Sequence, residues 1–132
     1  MVKRATFVMA AALGAVCATG AAADCRLALL LGLDISSSVD VDEDILQRGG
    51  MAAALRAPEV EAAFFAADQH VALAVYEWSG RYNQEVVLDW VLIDSPEKLA
   101  QAADIVGASM RSYNEFPTAM GAALSYGAQM IA

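Results

Sequence analysis

The segment from Arg26 to Leu33 is a nearly unbroken apolar run, and it stops at Asp34-Ile35-Ser36-Ser37-Ser38. A run so short and apolar suits a strand buried on both faces, as strands of parallel sheets are. Its carboxyl end delivers a polar loop, and in open α/β sheets that is the end where ligands bind. The chain is therefore expected to be an α/β protein whose first strand leads into a site. Its 132 residues allow one domain of common size and leave no room for two independent cores.

A helix is expected from about Asp42 to Ala57, with Asp42, Glu43 and Asp44 favourable near its positive N-terminus and Pro58 marking its end. Ile45, Gly49, Ala52 and Ala53 fall on one face, with Gly49 as a point of close helix-to-sheet approach. Pro58 to Ala66 reads as a short helical turn, and Val71 to Tyr76 as a second buried strand. After the turn signal Ser79-Gly80, Glu85 to Leu92 reads as a third strand. There Val86, Leu88, Trp90 and Leu92 share one face, which suits an antiparallel edge strand. Ser95 then caps a helix that has Pro96 at its first position and Leu99, Ala102, Ala103 and Val106 as its apolar stripe. A polar loop from Arg111 to Pro117 precedes a last helix, capped by Thr118, in which Met120, Leu124, Gly127 and Ile131 recur at helical spacing.

That last helical pattern is still running at Ala132, and a sheet of three strands leaves the first strand with an unpaired long edge. Residues 24–132 are accordingly expected to be the amino-terminal portion of a larger domain. Ahead of them, Lys3 and Arg4 precede an apolar stretch from Ala5 to Val16 and the small residues Ala21-Ala22-Ala23. This is the layout of a cleaved secretory signal, so residues 1–23 are expected to be removed and the mature chain to be periplasmic or secreted, not inserted in the membrane. Val16 before Cys17 argues against a lipoprotein cleavage site, which leaves Cys25 as the one cysteine, expected to be a simple buried thiol.

Eight basic residues stand against sixteen acidic ones, a net charge of −8; removing Lys3 and Arg4 leaves six against sixteen, or −10. This balance argues against nucleic acid or an anionic membrane surface as partner, because both need a basic patch. The single histidine, His70, reads as a strand-edge residue, and no CxxC or Cys/His spacing supports zinc or a Cys/His nucleophile.

Asp34, Ser36 and Ser38 alternate along the strand end and loop, and Thr118 can bring a further hydroxyl to the same end of the sheet. Hard cations such as Mg2+ take oxygen ligands of this kind. Hydroxyls are neutral, so one carboxylate and three hydroxyls leave a divalent ion with residual positive charge that attracts an outside carboxylate. The same loop can also serve only to cap the next helix through Ser36 or Ser38.

Asp34-Ile35-Ser36-Ser37-Ser38 with downstream Thr118 resembles the metal-ion-dependent adhesion site of von Willebrand factor A-like domains. The resemblance covers Cys25 to Ala132. More narrowly, Leu46-Gln47-Arg48, Glu77-Trp78-Ser79-Gly80, Ile93-Asp94-Ser95 and the Thr118 to Gly127 stretch resemble an uncharacterised family of exported bacterial proteins carrying this domain. The resemblance implies a doubly wound, Rossmann-like sheet, here incomplete at three strands. It also implies that Ser36, Ser38 and Thr118 ligate Mg2+ or Mn2+ through their hydroxyls, with Asp34 acting directly or through water. Two features depart from the pattern: the sequence ends before the strand after which such domains supply a second aspartate, and Phe116-Pro117 precedes Thr118 where many such domains have glycine.

The expected function is an exported, metal-dependent module that captures an exposed Asp or Glu of a protein partner. Two alternatives stand beside it: a metal-independent structural or interaction fragment, and a metal-dependent hydrolase. No G-x-S-x-G or P-loop motif and no general base beside the site are present in the sequence, so binding is expected and catalysis is not. Glu77-Trp78-Ser79-Gly80 is a candidate rim for the site, with Trp78 expected to be a packing residue.

Overall fold

The computed structural model describes residues 25–132, so the expected signal segment lies outside the described residues. The element order is β1 (Cys25–Asp34), α1 (Val41–Leu55), α2 (Pro58–Phe64), β2 (His70–Trp78), β3 (Gln84–Ile93), α3 (Pro96–Ala108) and α4 (Met120–Ile131). The strands form an open sheet in the order β1-β2-β3, in which β1 runs parallel to β2 and β3 antiparallel to it. The chain is thus a mixed α/β protein with β3 antiparallel at one edge, as the short turn before it suggested.

Side-chain alternation along β2 separates the two faces. Val71, Leu73 and Val75 point into the larger core with Leu33, Leu55, Phe64, Ile93, Leu99 and Val106, beneath α1, α2 and α3. Tyr76 and Trp78 point the other way, into a smaller cluster with Ala123 of α4. Helix α3 follows its local signals closely: the Ser95 hydroxyl accepts from the Lys98 backbone N–H, Pro96 starts the helix, and Leu99, Ala102, Ala103 and Val106 are all buried.

Helix α1 starts within a residue of the expected position but turns a different face inward. Its N-cap is Asp40, in a reciprocal box: the Asp40 carboxylate accepts from the Glu43 N–H at 2.8 Å and Glu43 accepts from the Asp40 N–H at 2.9 Å. Neither Ser36 nor Ser38 caps the helix. The inward face carries Asp44, Arg48, Ala52 and Leu55, while Ile45 is 62% exposed. Gly49 has nothing within 4 Å of where a Cβ would stand, so it makes no close approach. The close approach lies on α3, where a Cβ at Gly107 would stand 3.1 Å from the Ala52 Cβ.

Two register irregularities in the β2–β3 ladder change which residues of β3 face the core. Leu88 pairs with Val75 and Val91 with Leu73, so both lie on the α3 side. Trp90 is turned to the opposite face, where its indole N–H donates to the Met130 carbonyl at 3.0 Å. Val86 is 45% exposed. A single face of Val86, Leu88, Trp90 and Leu92 therefore does not form.

Helix α4 begins after Ala119 without a side-chain cap, because the Thr118 hydroxyl is engaged elsewhere. Ala123 and Gly127 are its buried positions, whereas Met120, Leu124 and Ile131 are more than half exposed. Gly127 marks a close approach, since a Cβ would stand 3.2 Å from the Tyr76 hydroxyl oxygen and 3.4 Å from Leu30 Cδ2. Cys25 is half-buried, less than the expected buried thiol, and forms no disulfide among the described residues; its thiol lies 3.0 Å from the Leu27 carbonyl.

Candidate functional site

The end of β1 is set by two tethers pointing in opposite directions. The Ile35 N–H donates to the Trp78 carbonyl at 2.9 Å, which continues the parallel ladder one residue past the strand. Alternation then turns the backbone groups of Asp34 away from β2, toward the unpaired edge. There the Gln47 side chain of α1 replaces a neighbouring strand: its amide oxygen accepts from the Asp34 N–H at 3.0 Å and its amide nitrogen donates to the Asp34 carbonyl at 2.9 Å. The Asp34 carboxylate is left free to fold over the loop and accept from the Ser36 N–H at 2.8 Å.

This arrangement brings all four sequence-derived candidates together. Ser36 Oγ lies 3.2 Å from Ser38 Oγ, and Thr118 Oγ1 donates to Ser36 Oγ at 3.1 Å. Ser36 is fully buried, Asp34 is half-buried, and Ser38 and Thr118 are exposed, so the group has a protein side and a solvent side. Two ligands at right angles around Mg2+, with metal–oxygen distances of 2.0–2.1 Å, stand about 3 Å apart. The two hydroxyl separations lie within a few tenths of an ångström of that edge. Among the described residues there is no group of three or more His, Cys, Asp and Glu side chains disposed to hold a metal. An ion at this site would thus depend on the hydroxyls of Ser36, Ser38 and Thr118 and on the single carboxylate of Asp34.

A buried ionic cluster that the sequence reading did not anticipate joins α1, β2 and the start of the loop between α3 and α4. The Arg48 guanidinium donates to Asp44 at 3.0 Å, to Glu77 at 2.5 Å and to the Ser109 hydroxyl at 2.7 Å. Arg48, Asp44 and Glu77 are 3%, 7% and 1% exposed. Burial by itself works against the Arg48 charge, but hydrogen bonds to Asp44 and Glu77 and their negative charges outweigh it and hold the guanidinium above its ordinary pKa. Asp44 is therefore the partner of a buried cation, in addition to any effect on the helix end. The other carboxylate oxygen of Glu77 accepts from the Ser112 N–H at 2.9 Å, which ties β2 to the loop carrying Thr118.

Glu77 and Trp78 do not form an exposed rim. Both are buried, Trp78 as a packing residue at 5% exposure. Ser79 is also fully buried, and its hydroxyl has no hydrogen-bond partner among the described residues. Gln47 and Arg111 are the residues around the site that spacing alone missed. Glu77 did carry a signal, as the one charge inside the apolar run of β2 and as part of the candidate rim, whereas Gln47 entered only within the Leu46-Gln47-Arg48 resemblance and Arg111 only as the start of a polar loop.

The model of a family described as a protein of unknown function, DUF1194, matches residues 24–132. The chain belongs to the DUF1194 family. That match begins one residue before β1 and spans every element of the fold, including both loops that form the site. No curated protein matches the chain. For the DUF1194 chain, the arrangement can offer three neutral oxygens and one carboxylate to a hard cation, while its solvent-facing side stays open to an external ligand.

Proposed function

We propose that this DUF1194 protein is an exported, divalent-metal-dependent protein-binding module with a von Willebrand factor A-like fold and an adhesion-type metal site. Ser36, Ser38 and Thr118 would hold Mg2+ or Mn2+ through their hydroxyls, with Asp34 as the single carboxylate. The bound ion would supply an electrophilic position for a carboxylate of a partner protein. The observation that carries this reading is the convergence of the three hydroxyls, with Thr118 meeting Ser36 from 82 positions away.

The roles of the chain's own residues follow from that geometry. Ser36 is the buried anchor, Ser38 and Thr118 flank it toward solvent, and Asp34 fixes the loop through the Ser36 N–H. Neutral donors leave most of the ion's charge uncompensated, which favours an anionic partner group over a neutral one. No helix among the described residues is long and apolar enough to cross a membrane. The test is capture of a peptide bearing one exposed Asp or Glu by the full chain in Mg2+ or Mn2+. Binding that disappears in EDTA, in Ser36→Ala/Ser38→Ala and with the Asn or Gln version of the peptide supports the reading. Equal binding with and without metal refutes it.

A further inference from the structure

The loop between α3 and α4 carries Thr118 but has no regular secondary structure, so something must hold it against the loop carrying Ser36 and Ser38. One side chain spans both. Arg111 donates through Nε to the Tyr113 carbonyl of its own loop at 2.9 Å, and through Nη1 to the Val39 carbonyl at 2.8 Å. Its Nη2 donates to the Ile35 carbonyl at 2.7 Å and, at 3.3 Å, to that of Ser36. Three carbonyls of the Ser36 loop are thus gathered by a single planar fork. Beside it, the Ser37 N–H donates to the Phe116 carbonyl at 2.8 Å, the backbone bond that directly joins the two loops.

We propose that Arg111 is the positioning residue of the hydroxyl site, a clasp that sets the distance from Thr118 to Ser36 and Ser38. Its consequence for metal affinity rests on the metal-binding reading above; its consequence for loop geometry does not. The geometry demands a guanidinium, because three carbonyls in different directions need donors on both arms of a rigid plane, and an ammonium is a compact point charge on a flexible stem. Arg111 also borders an open cavity of about 470 Å³ between α1 and the loop, whose walls include Val41, Ile45 and Met110. A small guanidinium compound can therefore reach the place that a truncated Arg111 leaves.

The experiment compares the wild-type full chain with Arg111→Met and Arg111→Lys, using Mn2+ alone as probe. It reads Mn2+ affinity by water-proton relaxation and amide exchange at Ser37 and at Val75 in the centre of β2. Both variants are expected to bind Mn2+ at least tenfold more weakly and to exchange the Ser37 amide at least tenfold faster, with Val75 unchanged. In a third variant, Arg111→Ala, whose truncated side chain vacates the guanidinium's place, millimolar methylguanidinium is expected to restore affinity and Ser37 protection. Should Arg111→Met fail to fold, Arg111→Lys, which keeps the stem and the charge, is read by the same two measurements. Wild-type affinity and wild-type Ser37 exchange in a folded variant overturn the proposal. If the wild type binds no Mn2+, the metal reading fails by itself and Ser37 exchange decides the clasp: faster exchange in the variants supports it, and unchanged exchange overturns it.

Discussion

Thr118 Oγ1 meets Ser36 Oγ at 3.1 Å across 82 residues of chain, with Ser36 wholly buried and Thr118 exposed. A hydroxyl that could have capped α4 reaches across to β1, and α4 starts with no side-chain cap. The helix forgoes about 1 kcal/mol of capping stabilisation in that arrangement. Thr118→Val is therefore expected to cost only about 1 kcal/mol in urea melts, since its hydrogen bond is solvent-exposed on one side. In the same variant, metal-dependent stabilisation is expected to be lost.

The Arg48–Glu77 pair should behave as a buried ion pair broken from one side. Arg48→Met leaves the Asp44 and Glu77 carboxylates buried without a cation and is expected to destabilise the chain by about 3–5 kcal/mol. Glu77→Gln should cost less, because the amide can still accept from Arg48 or from the Ser112 N–H. Denaturant melts of the two variants check the order, and equal small losses would show that the cluster contributes no more than a surface pair.

Gln47 holds both backbone groups of Asp34 on the unpaired edge of the sheet. Gln47→Leu leaves a donor and an acceptor without partners in a half-buried place, an expected loss of about 1–3 kcal/mol. Hydrogen exchange localises the effect: the Asp34 amide should lose protection while the Leu73 amide in the centre of β2 keeps it.

Tyr76 sets an alkaline limit on the packing of α4. Its phenol donates to the Ala123 carbonyl at 3.0 Å, and burial, followed by the nearby Tyr126, pushes its pKa above the ordinary value. The protonated form is thus favoured in the folded state. Its contribution is fully present below the unfolded pKa of about 10 and is lost as pH rises through the higher folded value. Tyr76→Phe should flatten this alkaline limb in melts between about pH 9 and 12, at a cost of about 1 kcal/mol near neutrality.

The parts of the fold that were legible in the sequence are those fixed by local patterns. Helix α3 could be read because Ser95, Pro96 and the stripe through Val106 are neighbours in sequence. The face of α1 could not, because Asp44 and Arg48 at i,i+4 resemble an ordinary surface pair until Glu77, 29 residues on from Arg48, draws them inward. The face of β3 was hidden by bulges, which break the two-residue period without leaving a glycine or proline within the strand. At the site, Asp34, Ser36 and Ser38 were visible from their alternation at a strand end. Thr118 was placed at the same end of the sheet by its position at the start of a later helix, which the resemblance repeated, and Arg111 lay in a polar loop where no spacing distinguishes a clasp from a solvated side chain.

Thermal melts of the full chain in EDTA and in excess Mg2+ or Mn2+, alongside Ser36→Ala/Ser38→Ala, read directly whether the hydroxyl site holds a divalent ion. Metal at about a hundredfold over its dissociation constant adds roughly 2.7 kcal/mol, a rise in midpoint on the order of 10 °C for a domain of this size. That rise is expected in the wild type and is lost in the variant, whose EDTA midpoint should lie lower by about the 4–8 °C that losing roughly 1 kcal/mol with the Thr118–Ser36 hydrogen bond costs. A cooperative wild-type melt with the same midpoint in EDTA and in metal would contradict a divalent ion held there.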